Sequence, residues 1–298
     1  MNITQVVKVI SVLLIILTGF MCIPACIALG YGELKEFEAF ARTIIITLML
    51  SGLMLFLVRK NKPDNLLIRD SFFVVSMSWI TGSFFGALPF FFSASIPEFV
   101  DCYFETMSGF TTTGASILTE IEGLPKSMLF WRSLTHWLGG MGIVVLTVAI
   151  LPLLGIGGTQ LLRAEAPGPS VDKITPRITK TAKILWFIYL FYTIAETVLL
   201  MFGGMSLFDA LTHTFGTLAT GGFSPKNSSV GHYKSAYIDG IITLFMILAG
   251  MNFILHFKLL TGKVGDLFKD IEFKAYLIVF LVATFIITLN LYIKSYYT

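Results

Sequence analysis

Charge is scarce in this chain, and so are cysteine and histidine. Of its 298 residues only 13% are charged while 55% are hydrophobic, and the formal net charge is +3. With a mean hydropathy of +0.83, this composition excludes a water-soluble domain and defines an integral membrane chain. A charge balance so close to neutral leaves no basic footprint for nucleic acid. The three cysteines, Cys22, Cys26 and Cys102, have neither metal-ligand nor disulfide spacing. Cys22 and Cys26 share one face of an apolar segment, where cysteine serves as a small hydrophobe. The four histidines are scattered, and no nucleophile–base set appears, so an enzyme is not expected. The glycine cluster from Gly155 to Gly158 lacks the Lys-Ser/Thr ending of a phosphate-binding loop, so no organic cofactor is expected in this chain either.

What the chain does have is a succession of long apolar runs. About 20 apolar residues cross a bilayer, and such runs lie at Val6–Leu29, which Pro24 kinks, at Phe40–Val58 and at Ser71–Phe92, which ends near Pro89. Further runs lie at Met128–Leu154, Ile184–Phe202, Ile238–Phe257 and Ala275–Ile293. Between the third and fourth runs, Glu98 to Gly109 is too short to cross and predicts a half-membrane helix with Asp101 as its N-cap. Ser206 to Leu218, capped by Asp209, predicts a second one. Lysine and arginine concentrate on one side. One lies near the N-terminus, four between Arg59 and Arg69, five between Arg163 and Lys183, and four between Lys258 and Lys274, fourteen of the 21. By the positive-inside rule the N-terminus is cytoplasmic, the chain crosses seven times, and both half-helices enter from outside.

Each half-helix leads into a tract of hydroxyl residues and glycine. The first is Phe110-Thr111-Thr112-Thr113-Gly114-Ala115-Ser116, and its Thr-x-Gly-x-Ser pattern recurs as Thr220-Gly221-Gly222-Phe223-Ser224, 108 residues later. The same offset pairs Asp101 with Asp209, Thr106 with Thr214, Met107 with Phe215 and Phe110 with Leu218, so the tract repeats in register with its helix. Tracts of this composition are often plain loops. Between membrane-length apolar runs, however, irregular backbone is tolerated only where it is buried or lines a water-filled path. An extended Thr-x-Gly segment can turn successive carbonyls toward one axis, where their oxygens replace the water shell of a cation. Gly114 and Gly222 supply the dihedral freedom this needs. The carbonyl ends of the two half-helices add partial negative charge.

The helix after the first tract contains Gly139-Gly140-Met141-Gly142, matched after the second by Ala249-Gly250-Met251-Asn252. Glycines there allow close helix packing, bending, or both. His136, Glu196 and His213 are ionisable groups at membrane depth, and so are functional candidates alongside a structural, hydrogen-bonded reading.

The residues Glu105 to Ala115, Phe130-Trp131-Arg132-Ser133, Trp137 to Gly142, Arg163 to Pro169, Asp172 to Arg177, Thr181-Ala182-Lys183 and Thr220 to Ser224 together resemble the TrkH-type potassium-uptake subunits of the Trk/Ktr/HKT superfamily. The two apolar runs that precede the first tract favour the TrkH type over KtrB. The resemblance implies an all-α integral membrane fold, potassium-channel-like, in which two N-terminal transmembrane helices are followed by helix–pore-loop–helix repeats around one pore. It implies a bacterial inner-membrane location, a homodimer in the full-length family, and a TrkA-like cytoplasmic nucleotide-binding regulator facing Arg163, Lys173, Arg177 and Lys180. Potassium is then the transported ion. Thr112, Thr113, Gly114 and Ala115 form one filter and Thr220, Gly221, Gly222 and Phe223 the other, with the carbonyls of Thr112, Thr113, Thr220 and Gly221 as ion ligands.

On this reading residues 1–70 hold the two N-terminal helices and a basic link. Residues 71–182 form the first repeat with its cytoplasmic link, 183–272 the second repeat, and 273–298 the first helix of an incomplete third. Two pore repeats of four are therefore expected to be missing. A sodium-conducting relative, a class in which serine replaces the first filter glycine, is opposed by Gly114. A non-conducting fragment or scaffold stands as the other alternative.

Overall fold

The computed structural model describes residues 3–59, 68–142, 178–252 and 269–293, with isolated positions 255, 256, 262 and 265. The described residues form helices joined by turns: α1 (Ile3–Tyr31), α2 (Leu34–Val58), α3 (Ile68–Phe92), α4 (Phe99–Phe110), α5 (Lys126–Gly140), α6 (Ile178–Phe202), α7 (Leu207–Leu218), α8 (Ala236–Ala249) and α9 (Ile271–Ile293). Five of them, α1, α2, α3, α6 and α9, are long and apolar enough to cross a membrane. The 12-residue α4 and α7, about 18 Å each at 1.5 Å per residue, are too short. Helix α1 runs unbroken through Pro24. Helix α3 continues past Pro89 to Phe92, because the carbonyls of Pro89, Phe90 and Phe91 accept from the Ser93, Ser95 and Ala94 N–H groups and close the end.

Two expected features of the helix ends are corrected. Asp101 and Asp209 do not cap their helices. The N-cap of α4 is Glu98, with no side-chain cap, and the N-cap of α7 is Ser206, whose Oγ accepts the Asp209 N–H at 3.1 Å. Both aspartates sit three residues inside, in the first turn, where a carboxylate interacts favourably with the helix dipole without capping it. The helices after the two hydroxyl tracts also end early. Helix α5 stops at Gly140, with a turn at Met141 and Gly142 at φ +61°, and α8 stops at Ala249 with Gly250 as C-cap. Residues 143–177 lie outside the described residues.

Helix α5 is the hub. It packs against α1, α4 and α7. Trp131 is fully buried and donates its indole N–H to the Gly86 carbonyl of α3 at 2.9 Å, with Phe40 of α2 and Phe110 of α4 edge-on to its ring. One turn and a half later Trp137 donates to Thr193 Oγ1 of α6 at 2.9 Å, and the Tyr189 hydroxyl donates back to the Trp137 carbonyl at 3.1 Å. Two tryptophans thus tie one helix to four others, each indole N–H satisfied as burial in an apolar core demands. By contrast α9 packs only at its start, where Phe273 is buried, and leaves Ile278, Val279, Leu281 and Phe285 exposed.

The first turn of α5 is completed from a distance. Glu33, in the turn between α1 and α2, accepts the Lys126 N–H at 2.7 Å, the Ser127 N–H at 3.0 Å and the Ser127 hydroxyl at 2.5 Å. Pro125, the local N-cap, has no side-chain cap to offer, so the carboxylate satisfies two of the orphan donors that every helix start carries. Replacing Glu33 by Gln removes the charge from these bonds. We expect Glu33→Gln to destabilise the detergent-solubilised protein by about 1–2 kcal/mol, the usual cost of a lost cap or charged hydrogen bond, read as a lowered thermal midpoint. An unchanged midpoint would show that α1 and α2 dock without this contact.

Candidate functional site

Helices α4 and α7 end in the same way, and the likeness is in the backbone. Thr111 is the C-cap of α4 and Ala219 that of α7. Thr112 has φ +52° and Thr220 φ +55°, while Gly114 has φ +73° and Gly222 φ +87°. Positive φ is rare for any side chain and worst for a β-branched one. Both Thr positions are offset by a Schellman closure. Thr113 N–H donates to the Ser108 carbonyl at 2.9 Å and Thr112 N–H to Gly109 at 3.1 Å; Gly221 N–H donates to Gly216 at 3.0 Å and Thr220 N–H to Thr217 at 2.9 Å. Each bond in one loop has its counterpart 108 residues on.

After the turn the backbone carbonyls are treated unequally. Ala115 has its carbonyl held by the Ser108 hydroxyl at 2.6 Å. Those of Thr112, Thr113, Gly114 and Thr220 accept no hydrogen bond among the described residues. Thr113 and Thr220 are exposed and Thr112 and Gly114 half-buried, so these oxygens border open space. The two loops meet: a Cβ at Gly114 would collide with the Gly221 carbonyl. Of the eight loop residues expected to act together, Gly114 and Gly221 are thus in direct opposition, while buried Phe223 faces away from the open space.

Behind the loops is a stack of side chains from α5. The imidazole of His136 lies on the Phe223 ring, with centroids 3.9 Å apart and planes 11° apart, and the Arg132 guanidinium lies 3.6 Å from the centroid of that same ring. His136 Nδ1 is 2.9 Å from the Gly109 carbonyl. A carbonyl only accepts, so Nδ1 carries a hydrogen and the ring turns Nε2 toward Gly221, where a Cβ would strike the ring. His136 is therefore wedged between the end of α4 and the second loop. Arg132, 3% exposed, donates its Nε–H to Glu105 of α4 at 2.6 Å and its Nη1–H to the Ser224 carbonyl at 3.1 Å. Glu105 also accepts the Ser116 hydroxyl at 2.9 Å and the Ile117 N–H at 3.0 Å.

Glu105, Arg132 and Ser224 carry no assigned role in the sequence reading. The available signal was an arginine in an apolar helix, which requires a buried carboxylate partner; the adjacent half-helix holds two acids, Asp101 in its first turn and Glu105 at its middle. Of the other ionisable candidates, Glu196 of α6 is buried beside Thr217 of α7. His213 of α7 is 5.4 Å from the Tyr233 ring, edge-on. In the loop between α7 and α8, burial and the nearby Asp209 carboxylate push the Tyr233 phenol above its ordinary pKa. Asn227 joins the loops that follow the two tracts by accepting the Ile121 N–H at 2.8 Å and donating to Glu122 at 3.2 Å and Glu120 at 3.0 Å. Lys180 lies in the first turn of α6; Arg163, Lys173 and Arg177 lie outside the described residues.

The described residues form an all-helical fold with membrane-length helices and two half-length helices that end in paired loops, the architecture of a multi-pass membrane protein. Residues 36–296 match the model of the TrkH family, described as cation transport protein, and the chain belongs to that family. It is 41% identical over 302 residues to the Trk system potassium uptake protein TrkH of Escherichia coli strain K12, covering 100% of this chain and 62% of that protein. It is 36% identical over 259 residues to the Trk system potassium uptake protein TrkG of the same organism, covering 86% of this chain and 53% of that one. The crystal structure of the potassium transporter TrkH from Vibrio parahaemolyticus superposes on all of this chain and 61% of its own, with a TM-score of 0.85 and 35% identity. The chain thus spans about three fifths of the length of its curated relatives, and it is a multi-pass membrane protein of a transporter family rather than an enzyme.

The glycines of α5 account for how closely the loops approach. A Cβ at Gly139 would collide with the Phe110 carbonyl and one at Gly140 with the Ala219 backbone, at the ends of the two short helices. A Cβ at Gly82 of α3, by contrast, would meet nothing within 4 Å. Backbone cannot yield as a flexible side chain does, so Gly139→Ala is expected to destabilise the protein by about 2 kcal/mol or more. Gly82→Ala should be neutral or stabilising by up to about 1 kcal/mol. Thermal midpoints of the two variants in one detergent provide the comparison, and equal midpoints would contradict the close packing.

Proposed function

We propose that this chain forms part of a pathway for potassium uptake across the bacterial inner membrane, with its N-terminus in the cytoplasm. The observation that carries the reading is the matched pair of loops, in which Thr112, Thr113, Gly114 and Thr220 keep their carbonyls free of hydrogen bonds among the described residues, beside open space. Inside a membrane an unsatisfied carbonyl is costly, and a dehydrated cation is the partner that makes the arrangement favourable. Gly221 and Gly222 complete the second loop. Residues 71–182 and 183–272 then act as two pore repeats, residues 1–70 as a supporting pair of helices and residues 273–298 as the start of a third repeat. The naming of the relatives as potassium uptake proteins supports potassium over sodium, as does glycine rather than serine at position 114. Neither an organic cofactor nor nucleic acid has a part in this reading.

The ion path is tested at Gly114. Serine there places a side chain against the Gly221 carbonyl on a backbone of positive φ, which displaces a ligand of the second loop and adds a hydroxyl to the first. Measured as rubidium against sodium tracer flux in proteoliposomes of the complete four-repeat protein, Gly114→Ser should lower potassium-over-sodium selectivity on the order of tenfold, equivalent to about 1.4 kcal/mol. Identical selectivity would remove the first loop from the path.

A TrkA-like cytoplasmic nucleotide-binding ring is the proposed regulator, docking on the segment that contains Arg163, Lys173, Arg177 and Lys180, and a homodimer is the proposed assembly. Reversing charge at Arg177 and Lys180 together should cut co-purification with such a ring several-fold at moderate salt, because rim charges act largely through screened attraction. Undiminished binding would count against that docking site.

A further inference from the structure

Among the described residues one ion pair is buried, and it stands between the two loops. Arg132 is 3% exposed and Glu105 1%. Burying two charges costs several kcal/mol each, and apolar residues of similar volume often serve stability equally well. Helix α4 is already fixed to α5 without the pair, by Phe110 against Trp131 and by Gly139 beneath the Phe110 carbonyl. What the pair adds lies in the loops. Glu105 accepts from Ser116 and Ile117, at the end of the first tract, and Arg132 donates to Ser224, at the end of the second, with its guanidinium over Phe223.

The arrangement is also unrepeated. At the 108-residue offset Glu105 corresponds to His213. Arg132 corresponds to Ile242 at the 110-residue offset that aligns Gly140 with Gly250. At the matching positions the second half therefore has no such pair among the described residues, and the single pair serves both loops.

We propose that Arg132 and Glu105 are positioning residues that set the distance between the two loops and, through it, the discrimination between potassium and sodium. The pair touches no transported ion. It acts through the backbone at Ile117 and Ser224, from opposite sides of one planar guanidinium. Lysine keeps the charge but has a single ammonium, which cannot meet both Glu105 and the Ser224 carbonyl in the directions that Nε and Nη1 do.

This inference rests on the permeation reading above, and one experiment separates the two. Rubidium and sodium tracer flux is measured in proteoliposomes of the complete protein, as parent and as Arg132→Lys. The flux ratio does not depend on how much protein is folded, so a merely structural loss would lower both fluxes and leave the ratio alone. The ratio in Arg132→Lys is expected to fall about tenfold, the scale of one charge-assisted hydrogen bond. A parent without selectivity overturns the permeation reading itself. A selective parent with an unchanged ratio in Arg132→Lys overturns the positioning role. Should Arg132→Lys not be recovered in membranes, Ser116→Ala removes one loop contact and leaves the ion pair intact. It should lower the ratio about threefold, and an unchanged ratio there overturns the role equally.

Discussion

The structure depends on a constraint that its loops break: backbone polar groups within a membrane must be hydrogen-bonded. The N–H groups at the start of each loop obey it. Those of Thr112, Thr113, Thr220 and Gly221 all return to the helices that precede them. The carbonyls of Thr112, Thr113, Gly114 and Thr220 accept none among the described residues, and the asymmetry is built in by the dihedrals. A positive φ at Thr112 and Thr220 turns the chain so that donors close the helix end while acceptors are left facing outward. Each such residue costs on the order of 1–3 kcal/mol and persists only where its surroundings over-determine it.

Those surroundings are supplied by α5. Its first turn is finished by Glu33, its middle is anchored by Trp131 and Trp137, and its glycines let the ends of α4 and α7 lie directly on it. Between these anchors, Arg132 and His136 reach to the loops from the same helix face, four residues apart. A rigid helix that touches both strained turns is what allows each to be held by the other. This explains why α1 and α2, which contribute no loop residue, still matter to the site: they position the start of the helix that positions the loops.

How much of this was legible in the sequence follows from the range of each interaction. The apolar runs and the 108-residue recurrence are local patterns, and they located all the membrane-length helices and both loops, with ends within a few residues for most. The helix starts went astray because an aspartate in the first turn and one at the N-cap have the same composition signature; only the backbone distinguishes Asp209 from Ser206. The early ends of α5 and α8 were hidden for another reason. Gly139 and Gly140 stop the helix where other backbone crowds it, and that crowding comes from Phe110 and Ala219. The Glu105–Arg132 pair spans 27 residues and the Glu33 cap about 93, separations at which no periodicity connects the partners.

The two halves of the chain share a backbone but divide the chemistry unequally. Where the first half places Glu105, the second places His213 against Tyr233; where the first returns with Arg132 and His136, the second returns with Ile242 and Met246. An equal repeat would need two buried arginines at close quarters, and like charges in a low-dielectric interior repel strongly. One arginine shared between two loops avoids that repulsion and still satisfies both. Asn227 makes a second link between the loops at an exposed position, where water lowers the cost and a neutral amide suffices. The loops are therefore joined at two levels, by a charge where the surroundings are dry and by an amide where they are wet.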